Sequence, residues 1–570
     1  MQMHEARRLT AQFNEQGESV LDQLAHWAAT RPDAPCFHYG DQERTLTYAE
    51  FGRLTDSVAG FLASRDVVPG TAVSVLSANP LVAALAMVGI WKAGAVFAPV
   101  NFNFTGQLLS YQLNDTGAPL LVVDAPHAAA VCEIWDALET RPELVVNGAP
   151  EPQSLPVGVH VSAFEADACQ GHAPPDVRVE PHHPANIVYT SGTTGPAKGV
   201  LLPHRWMAQY TFMGRQLLDR DDVIYNDLPL YHVGGAIFNV VRGFWVGALV
   251  ACWDRFSPGQ FWQRIESVNA TTGVLLDAMI PWLMNAPAGD DDTANSLCKV
   301  HMQPLPLNHH DVARRFGIGV VTCGFGQTES GNPLVAAIDQ LPDGGGTPAR
   351  YYRGQDKAVV LSHLRHLGVP VVTPEEAAEK GYMGKPTPFF DVAVLDEADE
   401  YCAPGEVGQL AVRPRVTNTI FAEYIGKPEA TVRALRNAWF HTGDAARMGE
   451  DGSFIFVDRM GDRIRVRGEN LSSYHVEDLF NQHPEVQISA ALPVPATEGD
   501  EDEILIYLVL ADGSPADEAA MRAWAEEQLP KFMRPHHIRF TDELPRTATN
   551  KTEKYKLRGR FLHETDADRS

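Results

Sequence analysis

The sequence predicts an α/β fold in which a large N-terminal domain with mostly parallel sheets precedes a small α+β C-terminal domain. Three observations predict it. A chain of 570 residues is too long for one simple core, so at least two domains are expected. Helical patterns alternate with short apolar segments over most of its length, which is typical of parallel sheets covered by helices. After Asp458 the pattern changes to a compact unit, so we expect domains at residues 1–460 and 461–570.

Local patterns predict the individual elements along the chain. Thr47 begins a helix, because Glu50 follows it at capping-box spacing. In the C-terminal unit, Glu503–Leu510 is typical of a strand and Asp517–Gln528 of a helix. Glycines, proline and paired tyrosines in Gly344–Arg353 predict a long loop or an insertion. Short apolar or β-branched runs predict further strands at Ala72–Leu76, Ala95–Val100, Ile187–Thr190, Asp222–Tyr225 and Gly247–Cys252.

Composition argues against several classes of partner. The formal net charge is −26, and this field repels nucleic acid and anionic membranes, which bind through clustered lysine and arginine. The most apolar stretch, Leu81–Val100, is interrupted by Lys92 and Gly94, so it predicts a buried helix and a strand rather than a membrane span. The seven cysteines are scattered singly, which predicts reduced thiols in a cytoplasmic protein. We therefore expect no nucleic-acid partner and no membrane span.

The strongest chemical signal is Ile187–Val200, where a β-branched strand runs into a loop rich in glycine and hydroxyl groups. Glycines let backbone N–H groups converge on an anion, hydroxyls donate further hydrogen bonds, and a lysine adds a point charge. The spacing is not that of a Walker A loop. The segment therefore predicts a polyphosphate cradle, whose members are Thr190, Ser191, Gly192, Thr193, Thr194, Gly195 and Lys198.

This loop resembles the signature of the adenylate-forming superfamily, which includes acyl-CoA synthetases, luciferases and the adenylation domains of peptide synthetases. Further motifs of the superfamily follow in order, so the resemblance extends from the region of Leu21 to Leu557. It implies an acyl-CoA synthetase, in which a carboxylic acid attacks the α-phosphorus of ATP and the thiol of coenzyme A then releases AMP from the acyl adenylate. The implied ligands are ATP or AMP, Mg²⁺, coenzyme A and a small-molecule acid.

The resemblance assigns nucleotide contacts to Gly324–Glu329, which is similar to the superfamily's aromatic-Gly-x-Thr-Glu motif. By this resemblance Phe325 stacks on adenine, and Thr328 donates to the α-phosphate. Glu329 is a hard oxygen ligand suited to Mg²⁺. Gln327 belongs to the same nucleotide-binding segment.

Two later motifs and one earlier histidine complete the implied large-domain site. Asp444 is expected to accept hydrogen bonds from the two ribose hydroxyls, and Arg459 to reach the ribose and phosphate region. His232 is expected in the acyl pocket beside the substrate carboxylate. The apolar residues Val233, Ile237 and Phe238 near it favour a hydrophobic acid.

The resemblance also implies that the small C-terminal domain is mobile. Gly461 is the expected pivot, because glycine tolerates backbone angles closed to other residues. Gly468 is expected to flank the pantetheine channel in one domain orientation. Lys551 is the implied catalytic lysine, with Lys554 and Lys556 as nearby competitors.

Two departures from the superfamily pattern leave alternatives open. Relatives often carry Gly-Gly-Ala-Pro-Leu beside adenine, whereas Met302–Leu307 contains neither glycine. The stretch Gly331–Gly381 is longer than usual and follows Glu329 almost directly, so we expect it near the nucleotide site, as a substrate lid or an obstruction to ATP. One alternative is an enzyme that only transfers a preformed acyl adenylate to coenzyme A. Another, of a different class, is a catalytically inactive acyl- or nucleotide-binding protein.

Overall fold

The computed structural model describes residues 7–11, 13, 19–151, 155–190, 197–277, 279–459, 464–466, 469–471, 473–496, 502–511, 513–529, 533–546 and 552–569. The α-helices are α1 (Val20–Thr30), α2 (Tyr48–Ser64), α3 (Pro80–Lys92), α4 (Gly106–Thr116), α5 (Ala128–Glu133), α6 (His204–Arg215), α7 (Arg242–Val246), α8 (Phe261–Val268), α9 (Ile280–Met284), α10 (His309–Phe316), α11 (Lys357–His366), α12 (Pro428–Ala434), α13 (Ser473–Phe480), α14 (Glu518–Gln528) and α15 (Lys554–Arg569). Two π-helical segments are Phe164–Ala168 and Gly234–Val241, and short 3₁₀ turns are Gly40–Gln42, Ala125–His127, Trp135–Ala137 and Arg436–Ala438.

The strands form two large sheets and two small ones. In chain order they are β1 (Pro35–Tyr39), β2 (Arg44–Thr47), β3 (Ala72–Leu76), β4 (Val96–Pro99), β5 (Leu120–Asp124), β6 (Glu143–Asn147), β7 (Val161–Ala163), β8 (Pro184–Thr190), β9 (Lys198–Pro203), β10 (Val223–Asn226), β11 (Leu249–Cys252), β12 (Thr272–Leu275), β13 (Lys299–Met302), β14 (Val320–Gln327), β15 (Gly331–Asp339), β16 (Val371–Val372), β17 (Tyr382–Pro386), β18 (Phe390–Leu395), β19 (Val407–Pro414), β20 (Glu423–Tyr424), β21 (Phe440–Met448), β22 (Phe454–Arg459), β23 (Ile464–Val466), β24 (Glu469–Leu471), β25 (Val486–Pro495), β26 (Asp502–Leu510) and β27 (His537–Phe540).

The eight-stranded sheet has the order β20-β9-β8-β4-β3-β5-β6-β7, and its strands from β8 to β7 are parallel. Its helices begin as predicted: the Thr47 hydroxyl accepts the Glu50 N–H at the start of α2, and the Glu50 carboxylate accepts the Thr47 N–H. Helix α3 is buried on almost every face, which explains why its sequence is so apolar. The apolar stretch that the sequence placed in a buried helix and a strand is therefore α3 and β4.

The longer sheet joins a parallel half to an antiparallel half. Strands β11, β10, β12, β13 and β14 run parallel, so their carboxyl ends share one edge. Strands β15, β17, β22, β21, β19 and β18 continue the sheet in antiparallel pairs. The predicted α/β fold is confirmed, and the edge at the carboxyl end of β14 is the place where a ligand is expected in such sheets.

The prediction that Gly331–Gly381 emerges near the nucleotide site is wrong. Strand β15 runs antiparallel to β14 over its whole length, from Gly331 opposite Gln327 to Asp339 opposite Val320. At about 3.3 Å per residue, this strand carries the chain roughly 25 Å to the opposite edge of the sheet. The chain therefore enters the rest of the stretch, which includes α11 and β16, at the edge of the sheet opposite Glu329.

The C-terminal part forms a separate three-stranded sheet of β25, β26 and β27, covered by α13, α14 and α15. The predicted strand and helix are present as β26 and α14, and Asp517 caps α14 by accepting the Ala520 N–H. Residues 460–463 lie outside the described part of the chain, so the boundary between 460 and 461 stays a prediction. Among the described residues, no helix is both long and apolar enough to cross a membrane.

Candidate active site

Residues from motifs far apart in sequence meet at the carboxyl edge of the long sheet. Gln327 ends β14, and its Nε2 donates to Asp444 Oδ2 at 2.5 Å and to the Thr442 carbonyl at 3.1 Å. Asp444 and Arg459 stand opposite each other in β21 and β22, with 3.9 Å between Arg459 Nε and Asp444 Oδ1. Arg459 therefore stands beside Asp444 near the limit of ion-pair distance, and the bond from Gln327 positions the carboxylate at this edge.

Glu329 occupies the turn between β14 and β15, beside the same edge. The Tyr424 hydroxyl donates to Glu329 Oε1 at 3.0 Å, and the Phe421 N–H donates to the Glu329 carbonyl at 2.8 Å. Burial raises the pKa of Glu329, and Tyr424 and the nearby Lys198 and Arg459 act in the opposite direction. Lys198 Nζ lies 4.7 Å from the centre of the Tyr424 ring. The turn thus places one carboxylate and two cations around a common space.

This arrangement fits a magnesium ion that arrives with its nucleotide. Among the described residues, no group of three or more histidine, cysteine, aspartate or glutamate side chains forms a metal cage. Mg²⁺ is commonly bound by one or two carboxylates together with substrate phosphates rather than by an all-protein cage. Glu329, with one oxygen engaged by Tyr424, is suited to that role.

The two ends of the predicted phosphate cradle are described, and its centre is not. Thr190 ends β8 directly opposite Lys198, which begins β9, so the cradle is the connection of a hairpin. Residues 191–195, which include the predicted Ser191, Gly192, Thr193, Thr194 and Gly195, lie outside the described residues. At Gly199 a Cβ atom would stand 2.7 Å from Ile425 Cγ1, so a glycine is needed for the close approach of β9 and β20.

The base of the cradle is held by residues that the sequence reasoning missed. The Tyr111 hydroxyl donates to the Ala197 carbonyl at 2.7 Å. The Tyr189 hydroxyl donates to Asp115 Oδ2 at 2.9 Å, and Lys427 Nζ lies 2.8 Å from Asp115 Oδ1. These contacts join α4, β8 and the segment after β20, so no local sequence pattern could have identified them. Tyr189 alone carried a signal, because it directly precedes the hydroxyl-rich loop.

Phe325 packs inside the antiparallel half of the sheet. It is 7% exposed and belongs to a hydrophobic cluster with Leu334, Met383, Val394 and Leu410. Adenine stacking by Phe325 stays a prediction, and it requires the small exposed part of the ring. Its neighbour in the motif, Thr328, is also buried.

His232 lies just before the π-helical segment Gly234–Val241, and its Nδ1 accepts the Gly234 N–H at 3.2 Å. Of the apolar residues expected around it, Val233 and Ile237 pack in the main hydrophobic core. Phe238 instead faces other aromatic rings: its centroid is 5.8 Å from that of Tyr210 and 4.8 Å from that of His301. Phe238 is therefore the predicted pocket residue with the most suitable position.

The segment Met302–Leu307 begins at the last residue of β13, next to His301 and the aromatic rings around it. Gln303 follows the end of this strand, and its Oε1 lies 2.9 Å from His301 Nε2. His301 Nδ1 in turn lies 3.1 Å from the Thr322 hydroxyl. Both nitrogens of His301 are thus engaged, and burial lowers its pKa to about 4, so the ring is neutral near pH 7.

The predicted residues of the small domain are only partly described. Lys551, Gly461 and Gly468 lie outside the described residues, so their roles stay predictions. The competing lysines have ion-pair partners: Lys554 Nζ lies 2.8 Å from Glu477 Oε1, and Lys556 Nζ lies 2.6 Å from Glu553 Oε2. Lys554 also donates to the hydroxyl of Ser473, whose N–H and hydroxyl both donate to the buried Asp458 carboxylate. Ser473 thus connects Lys554 to Asp458.

Comparison with known proteins identifies the family of this chain and agrees with the fold. The AMP-binding enzyme family matches residues 24–424, and the AMP-binding enzyme C-terminal domain matches residues 475–551. The chain is 29% identical over 549 residues to the sulfoacetate–CoA ligase of Cupriavidus necator, covering 94% of this chain and 98% of that protein. It is also 29% identical over 549 residues to the feruloyl-CoA synthase of an Amycolatopsis species, covering 94% and 99%.

Solved structures share the fold over nearly the whole chain. ATP-bound MatB from Rhodopseudomonas palustris aligns with a TM-score of 0.75 at 22% identity, covering 95% of this chain and 99% of that one. The anthranilate CoA ligase AuaEII in complex with anthranoyl-AMP aligns with a TM-score of 0.76 at 21% identity, covering 96% and 98%. The chain therefore belongs to the adenylate-forming superfamily of AMP-binding enzymes and, within it, to the AMP-forming acyl-CoA synthetase branch.

Proposed function

We propose that this synthetase converts a carboxylic acid, ATP and coenzyme A to acyl-CoA, AMP and pyrophosphate through an acyl adenylate formed at the carboxyl edge of the long sheet. The observation that carries the proposal is the convergence of Gln327, Glu329, Asp444, Arg459 and Lys198 on that edge. A carboxylate and a polyphosphate repel each other, so a site for their reaction must supply positive charge and fixed hydrogen bonds.

In this proposal each residue of the edge binds one part of the nucleotide. Asp444, beside Arg459, accepts the ribose hydroxyls, and Arg459 reaches toward the phosphates. Lys198 and the hydroxyl loop from Thr190 to Gly195 bind the β- and γ-phosphates. Glu329 would hold Mg²⁺, which would neutralise part of the phosphate charge.

Lys551 supplies the remaining charge in the proposed adenylation step. Its positive charge offsets the negative charge that develops between the attacking carboxylate and the α-phosphate. We propose that the small domain, residues 461–570, then turns about Gly461 and withdraws Lys551. Gly468 would next border the path along which the thiol of coenzyme A reaches the acyl carbon.

The acid is proposed to lie against His232 and Phe238. In this proposal His232, just before the π-helical segment, lies near the point where the carboxylate reacts. Phe238 and Tyr210 form an apolar wall against the body of the substrate. We further propose a cytoplasmic location, which agrees with seven cysteines that are all unpaired.

The test is a pair of assays over a panel of acids. Acid-dependent exchange of labelled pyrophosphate into ATP reports adenylate formation, and thioester formation from supplied acyl adenylate and coenzyme A reports the second half-reaction. The proposal predicts both activities with the same acid. Thioester formation without exchange would instead identify an enzyme limited to the second half-reaction. Absence of both over the panel, with AMP still bound, would support a binding protein without catalysis.

A further inference from the structure

Two buried arginines of the large lobe, Arg242 and Arg215, have no ion-paired carboxylate among the described residues, and Arg242 is the one beside the proposed acyl site. Arg242 begins α7, directly after the π-helical segment, and only 2% of its surface is exposed. Among the described residues, no carboxylate lies within 4.0 Å of its guanidinium. Its Nη2 donates to Asn239 Oδ1 at 3.2 Å, and its Nε has no hydrogen-bond partner in the part of the chain that the structure describes. Burying a guanidinium in this way is unfavourable unless something compensates the charge.

The aspartate that attracts Arg242 is already neutralised by another residue. Asp222 Oδ1 lies 2.6 Å from Lys299 Nζ and accepts the Thr271 hydroxyl at 2.6 Å, and Asp222 Oδ2 accepts the Gln355 N–H at 3.2 Å. One carboxylate compensates one cation, so the charge of Arg242 is left over. Burial lowers the pKa of Arg242 to about 10, which still leaves it protonated near neutral pH.

The position of Arg242 connects it to the proposed acyl site. Its guanidinium carbon lies 4.6 Å from the centre of the Phe238 ring, and Phe238 also contacts Tyr210 and His301. The bond to Asn239 shows that the side chain folds back along the helix toward His232, as long helical side chains commonly do. Asn239 lies seven residues after His232, so at about 1.5 Å per residue the guanidinium bonded to Asn239 lies roughly 10 Å from His232.

We propose that Arg242 binds a second, anionic group at the far end of the substrate. The acid would carry a terminal oxyanion, such as a carboxylate, roughly 10 Å from the carboxylate that is adenylated, with an apolar middle against Phe238. A guanidinium suits this task because it binds planar oxyanions through parallel N–H groups. The inference rests on the proposed function and narrows its substrate to amphipathic acids with two charged ends.

Stacking on Phe238 does not by itself account for Arg242. A methionine would fill similar space against the ring without burying a charge, so contact with Phe238 alone does not require an arginine at this position. Neutral His301 offers no competing positive charge, since both of its nitrogens are hydrogen-bonded and its pKa is low.

The experiment compares straight-chain α,ω-dicarboxylates, whose lengths bracket roughly 10 Å, with monocarboxylates of the same carbon number. The readout is kcat/KM for thioester formation. We expect wild-type enzyme to prefer the dicarboxylate of matching length by about tenfold or more, the range of a charged hydrogen bond. Arg242→Met should abolish that preference. A wild type that favours the monocarboxylate at every length would overturn the proposal, as would an Arg242→Met variant that keeps the preference.

Arg215 provides the matched control. It is also buried, at 3% exposure, has no carboxylate within 4.0 Å among the described residues, and stacks on Trp245 at 4.1 Å. Arg215→Met should leave the preference for dicarboxylates unchanged. If Arg215→Met abolishes the preference and Arg242→Met does not, the anion is bound elsewhere and the proposal is wrong.

Two further measurements separate this inference from a structural role and from the proposed function. Without substrate, Arg242→Met should keep or raise the melting temperature, whereas a lower melting temperature with an unchanged preference identifies a structural arginine. If Arg242→Met does not fold, Arg242→Lys replaces it and should reduce the preference several-fold. If no acid of the panel forms a thioester, the proposed function fails. Calorimetric titration of the AMP-bound enzyme with octanedioate and octanoate then still tests the inference, and equal affinities would contradict it.

Discussion

Strand β10 carries an aspartate at each end, and the protein holds the two carboxylates differently. Asp222 precedes the strand, and its side chain and that of its ion-pair partner Lys299 are both fully buried at 2.6 Å. Asp227 follows the strand on the edge that carries the active site. It accepts the Tyr225 hydroxyl at 2.8 Å, and among the described residues no cation lies within 4.0 Å of it. Burial raises the pKa of Asp227 to about 6.

Charge is compensated differently at the two edges of this sheet. At the far edge the charge of Asp222 is compensated within the fold, so the pair contributes to structure. At the carboxyl edge the contacts of the cations are less complete: Arg459 Nε stays 3.9 Å from Asp444 Oδ1, and Lys198 rests on the ring of Tyr424. A site for ATP needs such groups, because charges already neutralised by the protein have little left to offer a ligand.

Breaking the compensated pair should have the largest effect. Lys299→Met leaves Asp222 buried without its cation, and we expect the free energy of unfolding of the large lobe to fall by about 3–5 kcal/mol. Urea unfolding followed by tryptophan fluorescence measures this. The control is Lys357→Met, which breaks a more exposed pair with Asp339 and should cost about 1 kcal/mol or less. Equal losses in the two variants would show that full burial of the Asp222–Lys299 pair does not raise the cost of breaking it.

Removing the charge of Lys551, which is proposed to act on the substrates, should reduce the rate of adenylation without lowering the free energy of unfolding. Lys551→Ala is expected to slow acid-dependent pyrophosphate exchange by about 10²–10³, because one preorganised positive charge is lost from the adenylation transition state. Lys556→Ala, which removes a lysine paired with Glu553, should leave the exchange rate near that of wild type. The proposed role of Lys551 fails if the two variants exchange pyrophosphate equally fast.

Asp227→Asn should change the stability of the protein by an amount that depends on pH. Because the folded pKa of about 6 exceeds the ordinary 3.8, the native state binds more protons than the unfolded state between these values, and stability falls as pH rises through that window. The difference corresponds to about 3 kcal/mol at most. Asn should therefore stabilise the protein at pH 8 and lose this advantage toward pH 4. Melting temperatures from pH 4 to 8 measure it, and a constant difference would contradict it.

Asp222→Asn is the matched control at the other end of the strand. It removes the partner of Lys299 and leaves that ammonium buried, so we expect a loss of stability at pH 8, opposite in sign to Asp227→Asn. A gain in stability from both variants would show that the two ends of β10 do not differ in charge compensation.

Tyr424→Phe should have the smallest effect. The change removes the hydrogen bond to Glu329 but keeps the ring beneath Lys198, so we expect kcat/KM for MgATP to fall by a few-fold, as for the loss of about 1 kcal/mol. Tyr424→Leu also removes the ring and should be worse. Initial rates of thioester formation at varied MgATP measure both, and equal losses would show that the ring does not position Lys198.

Much of the site could be predicted from the sequence because its motifs are local. The hydroxyl loop, the Gly324–Glu329 segment and the residues Asp444 and Arg459 each stand in a short recognisable pattern. Tyr424 could not be predicted, since it reaches Glu329 only through the pairing of β20 with β9. The expectation for Gly331–Gly381 is wrong because closeness to Glu329 in sequence does not imply closeness in space. The length of β15 carries the rest of the stretch to the other edge of the sheet.

The helices and strands, the superfamily and the chemistry of the nucleotide motifs could all be predicted from the sequence alone. Each of them depends on residue types and on short spacings along the chain. The tertiary structure decided which charges are compensated. Asp222 and Asp227 flank a single short strand, yet only Asp222 meets a lysine, which comes from β13. Charge compensation depends on distances of a few ångströms between segments far apart in the chain, and only the folded packing of strands fixes those distances.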